Sequence, residues 1–375
     1  MQKVLNIAVV GCGYWGPNLI RNFVFLSRCK LKYICDLDPK RLEYLTRLYP
    51  GINATTHFAE LVEDQELDAI VIATPVNFHF ELARKGLEAG KHILLEKPMA
   101  SSAAQCRELI DLAERKKLTL MVGHTFIYSS PVRMIKEIVE RGEIGDILYI
   151  SAQRLNLGLF QKDINVAWDL APHDISIINY VMEGYPICLN CQGKAHVSSD
   201  VEDVTNMSLN YPNGKFATIQ SSWLDPNKVR RMTFVGSKKM IVYDDTEPLE
   251  KIKIYDKAVN VPPHYETFGE FQFSYHYGDM SAPYIKQTEP LKVQCEHFLD
   301  CIINEMKPLT DGSKGLSVVS ILEAASLSLK NHGDRIEIDA VRNEEPLGKK
   351  ILTPFYKAEA EANGYNKKNQ LANSI

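Results

Sequence analysis

A glycine-rich turn near the N-terminus constrains the fold of this chain more than any other feature. The turn reads Gly11-Cys-Gly-Tyr-Trp-Gly16, and the apolar run Leu5–Val10 comes directly before it. A strand, a tight glycine turn and a helix in this order begin a βαβ unit, in which the glycines let a pyrophosphate approach the backbone. The turn therefore predicts a dinucleotide site. Its candidate contacts are Gly11, Gly13, Tyr14, Trp15 and Gly16.

Short apolar runs and helical patterns alternate through residues 1–123, which predicts a parallel sheet and an N-terminal Rossmann domain. The predicted strands are Leu5–Val10, Leu31–Cys35, Ala69–Ala73, His92–Leu95 and Thr119–Val122. The predicted helices are Asn18–Leu26, Pro39–Leu48, Phe78–Glu88 and Ala103–Arg115. The chain is thus expected to be an α/β protein.

Longer alternating runs separated by hairpin turns follow, and they predict a C-terminal α+β domain over residues 124–339 with an open, mostly antiparallel sheet. We expect helices at Pro131–Arg141, Pro172–Met182, Leu291–Asn304 and Ser317–Asn331. Residues 256–290 lack clear periodicity and are interpreted as a long ordered excursion, such as a lid or an oligomer arm. Residues 340–375 are polar and are expected to form a C-terminal tail.

Charge and cysteine content limit the classes of function. The 375 residues include 43 basic and 47 acidic residues, so no electrostatic footprint for nucleic acid exists. No apolar run is long enough to cross a bilayer, and no secretory pattern is found, so a cytoplasmic location is expected. The eight cysteines are therefore interpreted as reduced thiols. The single pair Cys188-Leu-Asn-Cys191 has no second pair at zinc spacing, and no metal is predicted.

Asp36 points to NAD as the dinucleotide. It ends the second predicted strand, twenty residues after Gly16. A carboxylate at this place accepts hydrogen bonds from the adenosine ribose and repels a 2′-phosphate. Arg41 is nearby, but no arginine stands at the position itself, so NAD is favoured over NADP. Asp38 is predicted to cap the helix that begins at Pro39.

Two groups of polar residues are predicted beside the nicotinamide, because ligands of open α/β sheets bind at the carboxyl ends of strands. Thr74-Pro75 follows one predicted strand, and Glu96-Lys97-Pro98 follows another. Lys97 could hydrogen-bond a reacting hydroxyl, and a cis bond before Pro98 is a possibility. The alternative for each group is an ordinary turn at a strand end or at the surface.

Asp169 and His173 form a second candidate cluster, four residues apart. If both lie on one helix they share a face, and the carboxylate can orient the histidine and raise its basicity. Such a pair could accept the proton of an alcohol while hydride leaves the carbon. Because Pro172 is expected near the helix start, the alternative is that Asp169 is a cap and His173 a packed core residue.

The order and spacing of five motifs resemble the Gfo/Idh/MocA oxidoreductase family. The motifs are Gly11-x-Gly13-x-x-Gly16, Thr74-Pro75-x-x-x-His79, Glu96-Lys97-Pro98, Val122-Gly123-His124 and Asp169-x-x-x-His173. The resemblance implies a Rossmann domain followed by an α/β domain whose open sheet forms a homodimer or homotetramer. It also implies catalytic roles for Lys97 and His173, assisted by Asp169, and cofactor contacts from Thr74, Pro75, His79, Glu96 and Lys97. Val76 after Thr-Pro, and Thr125-Phe-Ile-Tyr128 after Gly-His, depart from the residues of many family members, and both departures argue against the typical contacts with free polyols.

Finer matches are similar to a branch of nucleotide-sugar 3-dehydrogenases, which oxidise C3 of UDP-N-acetylglucosamine or its uronic acid. They include Gly13-Tyr-Trp-Gly-Pro-Asn18, Arg154-Leu-Asn-Leu-Gly158 and Asn165–Asp174. The expected partner is therefore a small-molecule nucleotide sugar. The expected substrate contacts are Lys97, His124, Tyr128, Arg154, Asn156, Asn165, Asp169 and His173.

Three alternatives remain open at this point. A 3-ketosugar reductase or a polyol dehydrogenase of the same family would use the same residues. An NAD-dependent glycosidase would oxidise C3 transiently and release no NADH. A non-catalytic NAD-binding regulator would not need both Lys97 and His173, and the presence of both argues against it.

Overall fold

The computed structural model describes residues 4–161, 164–260 and 274–338. Within these residues the N-terminal part is a three-layer α/β unit. Its strands are β1 (Leu5–Val10), β2 (Cys29–Cys35), β3 (Asn53–Thr55), β4 (Ala69–Ile72), β5 (His92–Leu95) and β6 (Leu120–Val122). Its helices are α1 (Gly16–Phe25), α2 (Pro39–Leu48), α3 (Phe58–Glu63), α4 (His79–Glu88) and α5 (Ala103–Lys116).

The six strands of this unit pair in parallel in the order β3-β2-β1-β4-β5-β6. Both faces of the sheet are covered, which explains the continuous apolar sequence of β1 and β4. In β1, Ile7 and Val9 pack into one core, whereas Ala8 and Val10 pack into the core on the other face. Because the strands are parallel, the residues that follow β1, β4 and β5 all reach one edge of the sheet.

A second sheet follows α6 (Ser130–Glu140). Its strands are β7 (Ile147–Leu155), β8 (Cys188–Lys194), β9 (Val204–Asn210), β10 (Phe216–Ser222), β11 (Val229–Gly236), β12 (Met240–Asp244), β13 (Ile252–Asn260), β14 (Ser274–Ser281) and β15 (Ile336–Glu337). The strand order over the described residues is β14-β13-β12-β11-β7-β10-β9-β8-β15. Neighbouring strands are antiparallel except for β7 and β10, which run in parallel.

Helices cover one face of the second sheet. The helices α7 (Val166–Met182) and α9 (Gly312–Lys330) contact β7, β8, β9 and β10. On β7 the side chains of Ile150, Ala152 and Arg154 point to this covered face and are buried, whereas the alternate residue Tyr149 is exposed. We call the other side of the sheet the open face.

The helix α8 (Pro290–Ile303) and α9 join the two parts of the molecule. Glu289, just before α8, pairs with Arg21 of α1, and Asp300 within α8 pairs with Arg28. Helix α9 packs closely on the Rossmann unit: a Cβ added at Gly315 would lie only 2.7 Å from the Val122 side chain, so the absence of a side chain allows this approach. The two parts therefore share a core, and the division at residues 123/124 stays a prediction.

The α/β class, the Rossmann unit and the mostly antiparallel second sheet are confirmed. Several single elements differ from the predictions. The short elements β3 and α3 were not predicted, α7 begins at Val166 rather than Pro172, and α9 begins at Gly312 rather than Ser317. Residues 256–290 are not an irregular excursion throughout, because β13 and β14 form an antiparallel pair at the sheet edge. Residues 261–273 of that stretch and the predicted tail 340–375 lie outside the described residues.

Candidate active site

The glycine turn between β1 and α1 has room for no side chain at two positions. Gly11 has φ of +92°, and a Cβ there would lie 2.6 Å from the carbonyl oxygen of Ala73. A Cβ at Gly16 would lie 1.9 Å from the carbonyl oxygen of Gly11. At Gly13 the nearest atom would be 3.5 Å away, on the Arg41 side chain, so the turn is open where a pyrophosphate would approach. The α1 N-terminus follows and offers free N–H groups to phosphates.

Asp36 lies beside this turn, at the end of β2. Its Oδ2 accepts a hydrogen bond from the amide of Cys12 at 2.6 Å, and its Oδ1 accepts one from the amide of Asp38 at 2.8 Å. The Arg41 guanidinium lies 3.4 Å from the same carboxylate. Asp38 caps α2 as predicted, since it accepts a bond from the amide of Lys40. The turn and the carboxylate together fit the adenosine and pyrophosphate portions of NAD.

His79 was predicted as a cofactor contact, and its position contradicts this. The ring is buried, with Nδ1 2.8 Å from the carbonyl oxygen of Pro98 and Nε2 2.8 Å from that of Thr74. Both ring nitrogens are therefore engaged with backbone. His79 holds the turn Thr74-Pro75 against the turn at Pro98, so it positions two loops of the cleft and does not face the cleft itself.

Glu96 links the glycine turn to the end of β5. Its Oε1 accepts a hydrogen bond from the Trp15 indole at 2.9 Å. A Cβ at Gly123 would come 2.8 Å from this carboxyl group, so glycine is needed at the end of β6. Burial raises the pKa of Glu96 to about 7, against the opposing effect of the Lys97 charge. Tyr14, by contrast, is almost fully exposed beside Trp15.

Lys97 reaches from the Rossmann unit to α7. Its Nζ donates a hydrogen bond to the carbonyl oxygen of Asp169 at 3.0 Å and lies 3.9 Å from the Asp169 carboxylate. The Lys97–Pro98 peptide bond is cis. Burial lowers the pKa of Lys97, while the charges of Asp169 and Glu96 oppose the shift. The lysine is thus placed as a proton-carrying group at the carboxyl end of the sheet.

The expected hydrogen bond from the His173 ring to the Asp169 carboxylate is not formed. The Asp169 carboxylate instead accepts a bond from the Trp223 indole at 3.0 Å and faces Lys97. Asp169 is not the helix cap either, because α7 continues through Pro172 and is capped by Asn165. Asp169 therefore acts on Lys97, one of the two predicted catalytic candidates, rather than on His173.

His173 packs edge-on against Phe126, with 4.9 Å between the ring centroids. Its Nδ1 is buried without a hydrogen-bond partner in the structure. Burial, together with the charges of Lys97, Arg154 and Arg230, lowers the pKa of His173 well below its usual value. The imidazole is consequently neutral at physiological pH.

His124, a predicted substrate contact, is fully buried behind the site. Neither ring nitrogen has a hydrogen-bond partner, and burial, with a smaller effect of the Lys97 charge, lowers its pKa to about 4. The charge of His124 is also among the smaller causes that lower the pKa of His173. Whether His124 contacts substrate stays a prediction.

Arg154 forms a buried bidentate ion pair with Asp174. The two hydrogen bonds measure 2.9 Å and 2.8 Å, and the guanidinium lies over the Phe126 ring. Asn156, half-buried just after β7, donates its backbone N–H to Ser222. Both residues therefore lie on the side of the cleft formed by β7.

Two other predicted substrate contacts have hydrogen-bond partners within the protein. The Tyr128 hydroxyl is buried in the core, where it pairs with Thr310 at 3.0 Å, and is unable to reach the cleft. The Asn165 amide is used twice, because its oxygen caps α7 at Trp168 and its nitrogen donates to Glu202 at 2.9 Å. The burial of Tyr128 contradicts its predicted substrate contact, whereas the contact of Asn165 stays a prediction.

Several residues of the site were not predicted. Trp223 donates to the Asp169 carboxylate, and Asp174 forms the ion pair with Arg154. Phe126 packs against His173, and Arg230 adds a positive charge that lowers the pKa of His173. Asp174 had a signal, since it directly follows His173. Trp223, just after β10, and Arg230, on β11, are 50 and 57 residues from His173 in the sequence, and no local pattern connects them with it.

The parallel sheet, the glycine turn and Asp36 define an NAD-binding oxidoreductase. The chain belongs to the Gfo/Idh/MocA family: the family model described as an oxidoreductase family with an NAD-binding Rossmann fold matches residues 5–124, and that of the family's C-terminal domain matches residues 132–242. Among the described residues, no helix is both long and apolar enough to span a membrane. The same residues contain no cluster of three or more His, Cys, Asp or Glu side chains suited to a metal ion.

Individual relatives are distant. The uncharacterized oxidoreductase YrbE of Bacillus subtilis is 25% identical over 342 residues, which cover 88% of this chain and 95% of that protein. An uncharacterized oxidoreductase of Streptococcus pneumoniae is 28% identical over 233 residues, 58% of this chain and 62% of the relative. The structure of UDP-N-acetylglucosamine 3-dehydrogenase GnnA from Acidithiobacillus ferrooxidans matches with a TM-score of 0.73 and 22% identity, over 88% of this chain and 98% of that one. At this identity the likeness concerns the fold.

Proposed function

We propose that the protein oxidises the C3 hydroxyl of UDP-N-acetylglucosamine or of its uronic acid, with NAD as the acceptor. The observation that carries the proposal is the position of the Lys97 ammonium. It lies 3.0 Å from the carbonyl oxygen of Asp169. Asp169 is on α7, the helix that also bears the neutral His173. An alcohol dehydrogenase needs such a proton-carrying pair beside its nicotinamide. The fold of GnnA and the sequence matches around Trp15 and Asn18 support the nucleotide sugar as substrate.

Lys97 is the base in this proposal. A general base works best when its pKa is near the operating pH, and burial moves the pKa of Lys97 down toward that range. As the neutral amine takes the hydroxyl proton, the Asp169 carbonyl and carboxylate stabilise the resulting ammonium. His173 remains neutral and hydrogen-bonds the same hydroxyl, which orients it.

The cofactor residues follow from the geometry of the turn. The amides of the turn from Gly11 to Gly16 would hold the pyrophosphate, Asp36 the adenosine ribose, and Thr74, Pro75 and Glu96 would line the path toward the nicotinamide. When bound there, NAD accepts the hydrogen and the electron pair that leave the substrate carbon. The reverse reaction, reduction of a 3-ketosugar, would use the same side chains.

A panel of substrates tests the proposal. The purified protein is incubated with NAD and, in turn, UDP-N-acetylglucosamine, its uronic acid, free hexoses, inositol and a chromogenic glycoside, and NADH absorbance is followed. We expect NADH with at least one of the two UDP-sugars. The Lys97→Ala variant should bind NAD but form no NADH. Lys85→Ala, at an exposed site on α4, should form NADH at the rate of the wild type. Release of the chromophore without NADH would instead indicate a glycosidase, and turnover of inositol alone a polyol dehydrogenase.

We also propose that the protein works in the cytoplasm as a homodimer or homotetramer. The open face of the second sheet supports the oligomer. Antiparallel sheets commonly leave one face to solvent, and the side chains on that face are then polar. Here the large side chain of Tyr149 is exposed on the open face, which is more typical of an interaction surface.

A further inference from the structure

Four charged residues form a row across the second sheet at the edge of the active site. Arg154 of β7 lies directly opposite Arg230 of β11, and the amide of Asp245 donates to the carbonyl of Arg230 at 2.9 Å. Lys251, just before β13, donates its Nζ to the backbone carbonyl of Asp245 and lies 3.2 Å from the Asp245 carboxylate. Since Arg154 points to the helix-covered face, its cross-strand neighbour Arg230 does so too.

The two arginines of this row differ in how their charge is balanced. Arg154 is buried and fully paired with Asp174 through two hydrogen bonds. Arg230 has a 37% exposed side chain, and its contact with Asp245 is 3.4 Å long. The Asp245 carboxylate is also contacted by Lys251 and by the Tyr243 hydroxyl. Two cations thus share one carboxylate, which leaves an excess positive charge next to a second arginine.

The strand register places this positive charge next to the residues that surround His173. The Arg154 guanidinium lies 5.0 Å from the centroid of the Phe126 ring, which in turn packs on His173. Arg230 is one strand further, a step of about 5 Å. Its charge contributes to the low pKa of His173. Because Asp174 balances Arg154, the excess charge is that of Arg230 and Lys251, which share the Asp245 carboxylate. An anionic group of the substrate that binds at Arg230 would balance this excess charge.

We propose that Arg230 forms an anion subsite, which binds a negatively charged oxygen group of the substrate within about one sugar ring of the carbon that is oxidised. The group is either the carboxylate of a uronic acid or the diphosphate of the nucleotide, and both fit the planar, forked donor of an arginine. This inference rests on the proposed function, because it specifies which part of the nucleotide sugar Arg230 recognises.

Binding to the NADH-loaded protein tests the subsite. UDP-N-acetylglucosamine and its uronic acid differ only at C6, so calorimetry with both isolates the carboxylate. If the carboxylate occupies the subsite, Arg230→Gln should weaken binding of the uronic acid by about 10- to 100-fold, the usual effect of a lost charge-assisted hydrogen bond, and change UDP-N-acetylglucosamine little. If the diphosphate occupies it, both ligands should weaken by a similar factor. Arg230→Lys should restore part of the affinity in either case.

A matched control is the next residue of β11. Arg231 is exposed and alternates to the open face, so Arg231→Gln should leave both affinities unchanged. Thermal melting and the NAD affinity of each variant show whether the fold is intact. Unchanged affinities for both UDP-sugars in folded Arg230→Gln would overturn the inference.

A separate arm separates this inference from the proposed function. If the wild type binds neither UDP-sugar, the proposed function fails. The anion subsite is then tested by comparing the affinities of the protein for free D-glucuronate and for D-glucose. A preference for glucuronate that is lost in Arg230→Gln would support the anion subsite. Equal binding of the two sugars by the wild type would overturn it.

Discussion

At the scale of single residues, the proposed chemistry depends on where the Asp169 carboxylate points. The sequence places Asp169 and His173 one helical turn apart, and this spacing alone favours a hydrogen bond between them. In the structure the carboxylate faces Lys97 and is held by Trp223. A local spacing identifies which residues share a helix face, but a side chain's partner also depends on distant strands. The identity of the cluster was predictable, and its internal hydrogen bonding was not.

A variant of Asp169 tests its action on Lys97. The negative charge of Asp169 raises the pKa of Lys97, so its removal should lower that pKa further. Because the base must be neutral, kcat/KM for NADH formation rises as pH rises through the pKa of Lys97. In Asp169→Asn, which retains an acceptor for Trp223, this rise should occur at a pH lower by roughly one unit.

Trp223→Phe is the matched control for that experiment, because it removes the hydrogen bond and keeps the charge. Its pH profile should stay close to that of the wild type. A pH profile of Asp169→Asn that does not move, or one that moves to higher pH, would contradict the assigned role.

The buried His124 should make stability depend on pH. Its pKa is about 4 in the folded protein and 6.5 as the reference for the unfolded chain. Below pH 6.5 the unfolded chain takes up a proton that the folded protein excludes. Stability is therefore complete above pH 6.5 and is lost as the pH falls toward 4, by about 3 kcal/mol in total. Urea unfolding between pH 6.5 and pH 4 should show that the free energy of unfolding falls by about 3 kcal/mol less in His124→Phe than in the wild type.

His57→Phe, at an exposed position, is the control and should leave the pH dependence unchanged. If the free energy of unfolding falls equally steeply with pH in His124→Phe and in the wild type, His124 is not the cause of the pH dependence. The same variant also reports on the predicted substrate contact, since a raised KM is expected only if His124 touches the substrate.

At the scale of elements, α7 shows how tertiary context changes a helix boundary. Pro172 favours a helix start, because it has no N–H to donate to the preceding turn. The helix nevertheless begins six residues earlier, where the Asn165 side chain caps it. Similarly, Gly312 and Gly315 weaken the helical pattern but allow α9 to approach the Rossmann unit closely. These boundaries depend on packing that a single sequence does not display, whereas the long, strongly patterned elements were predictable.

The capping role of Asn165 leads to a prediction that separates structure from substrate binding. Asn165→Ala should lower the free energy of unfolding by about 1 kcal/mol through the lost cap, with a further loss from the Glu202 contact. Asn165→Ser should recover the cap. KM for the sugar should be the same in all three proteins, as measured by NADH formation. A raised KM with unchanged stability would contradict the capping role and support Asn165 as a substrate contact.

At the scale of the whole molecule, the open face predicts self-association. Thr233 lies near the centre of this face, opposite Ser151 of β7. A lysine there would place a charge in the interface of any oligomer formed through the sheet. We expect a wild-type dimer or tetramer by light scattering, and dissociation to smaller species in Thr233→Lys. Gln65→Lys, on the exposed surface of the Rossmann unit, is the control. A wild-type monomer, or an oligomer indifferent to Thr233→Lys, would place the interface elsewhere or exclude it.

The overall architecture was the most predictable level, because glycine turns, buried runs and hairpins are local signals that agree with one another. The β7–β10 parallel pairing, the return of α8 and α9 to the Rossmann unit and the row containing Arg230 all depend on contacts between distant segments. These contacts decide how the substrate side of the cleft is built. They therefore also decide the specificity, which the motifs alone leave open.

Transfer of the hydrogen from C3 tests the central claim most directly. UDP-N-acetylglucosamine and its uronic acid, each carrying deuterium at C3, are incubated with the protein and NAD, and the NADH formed is analysed by mass spectrometry and NMR. The proposed function predicts deuterium at C4 of the nicotinamide and a ketone at C3 of the sugar. NADH without deuterium, or no NADH from either labelled sugar, would contradict it.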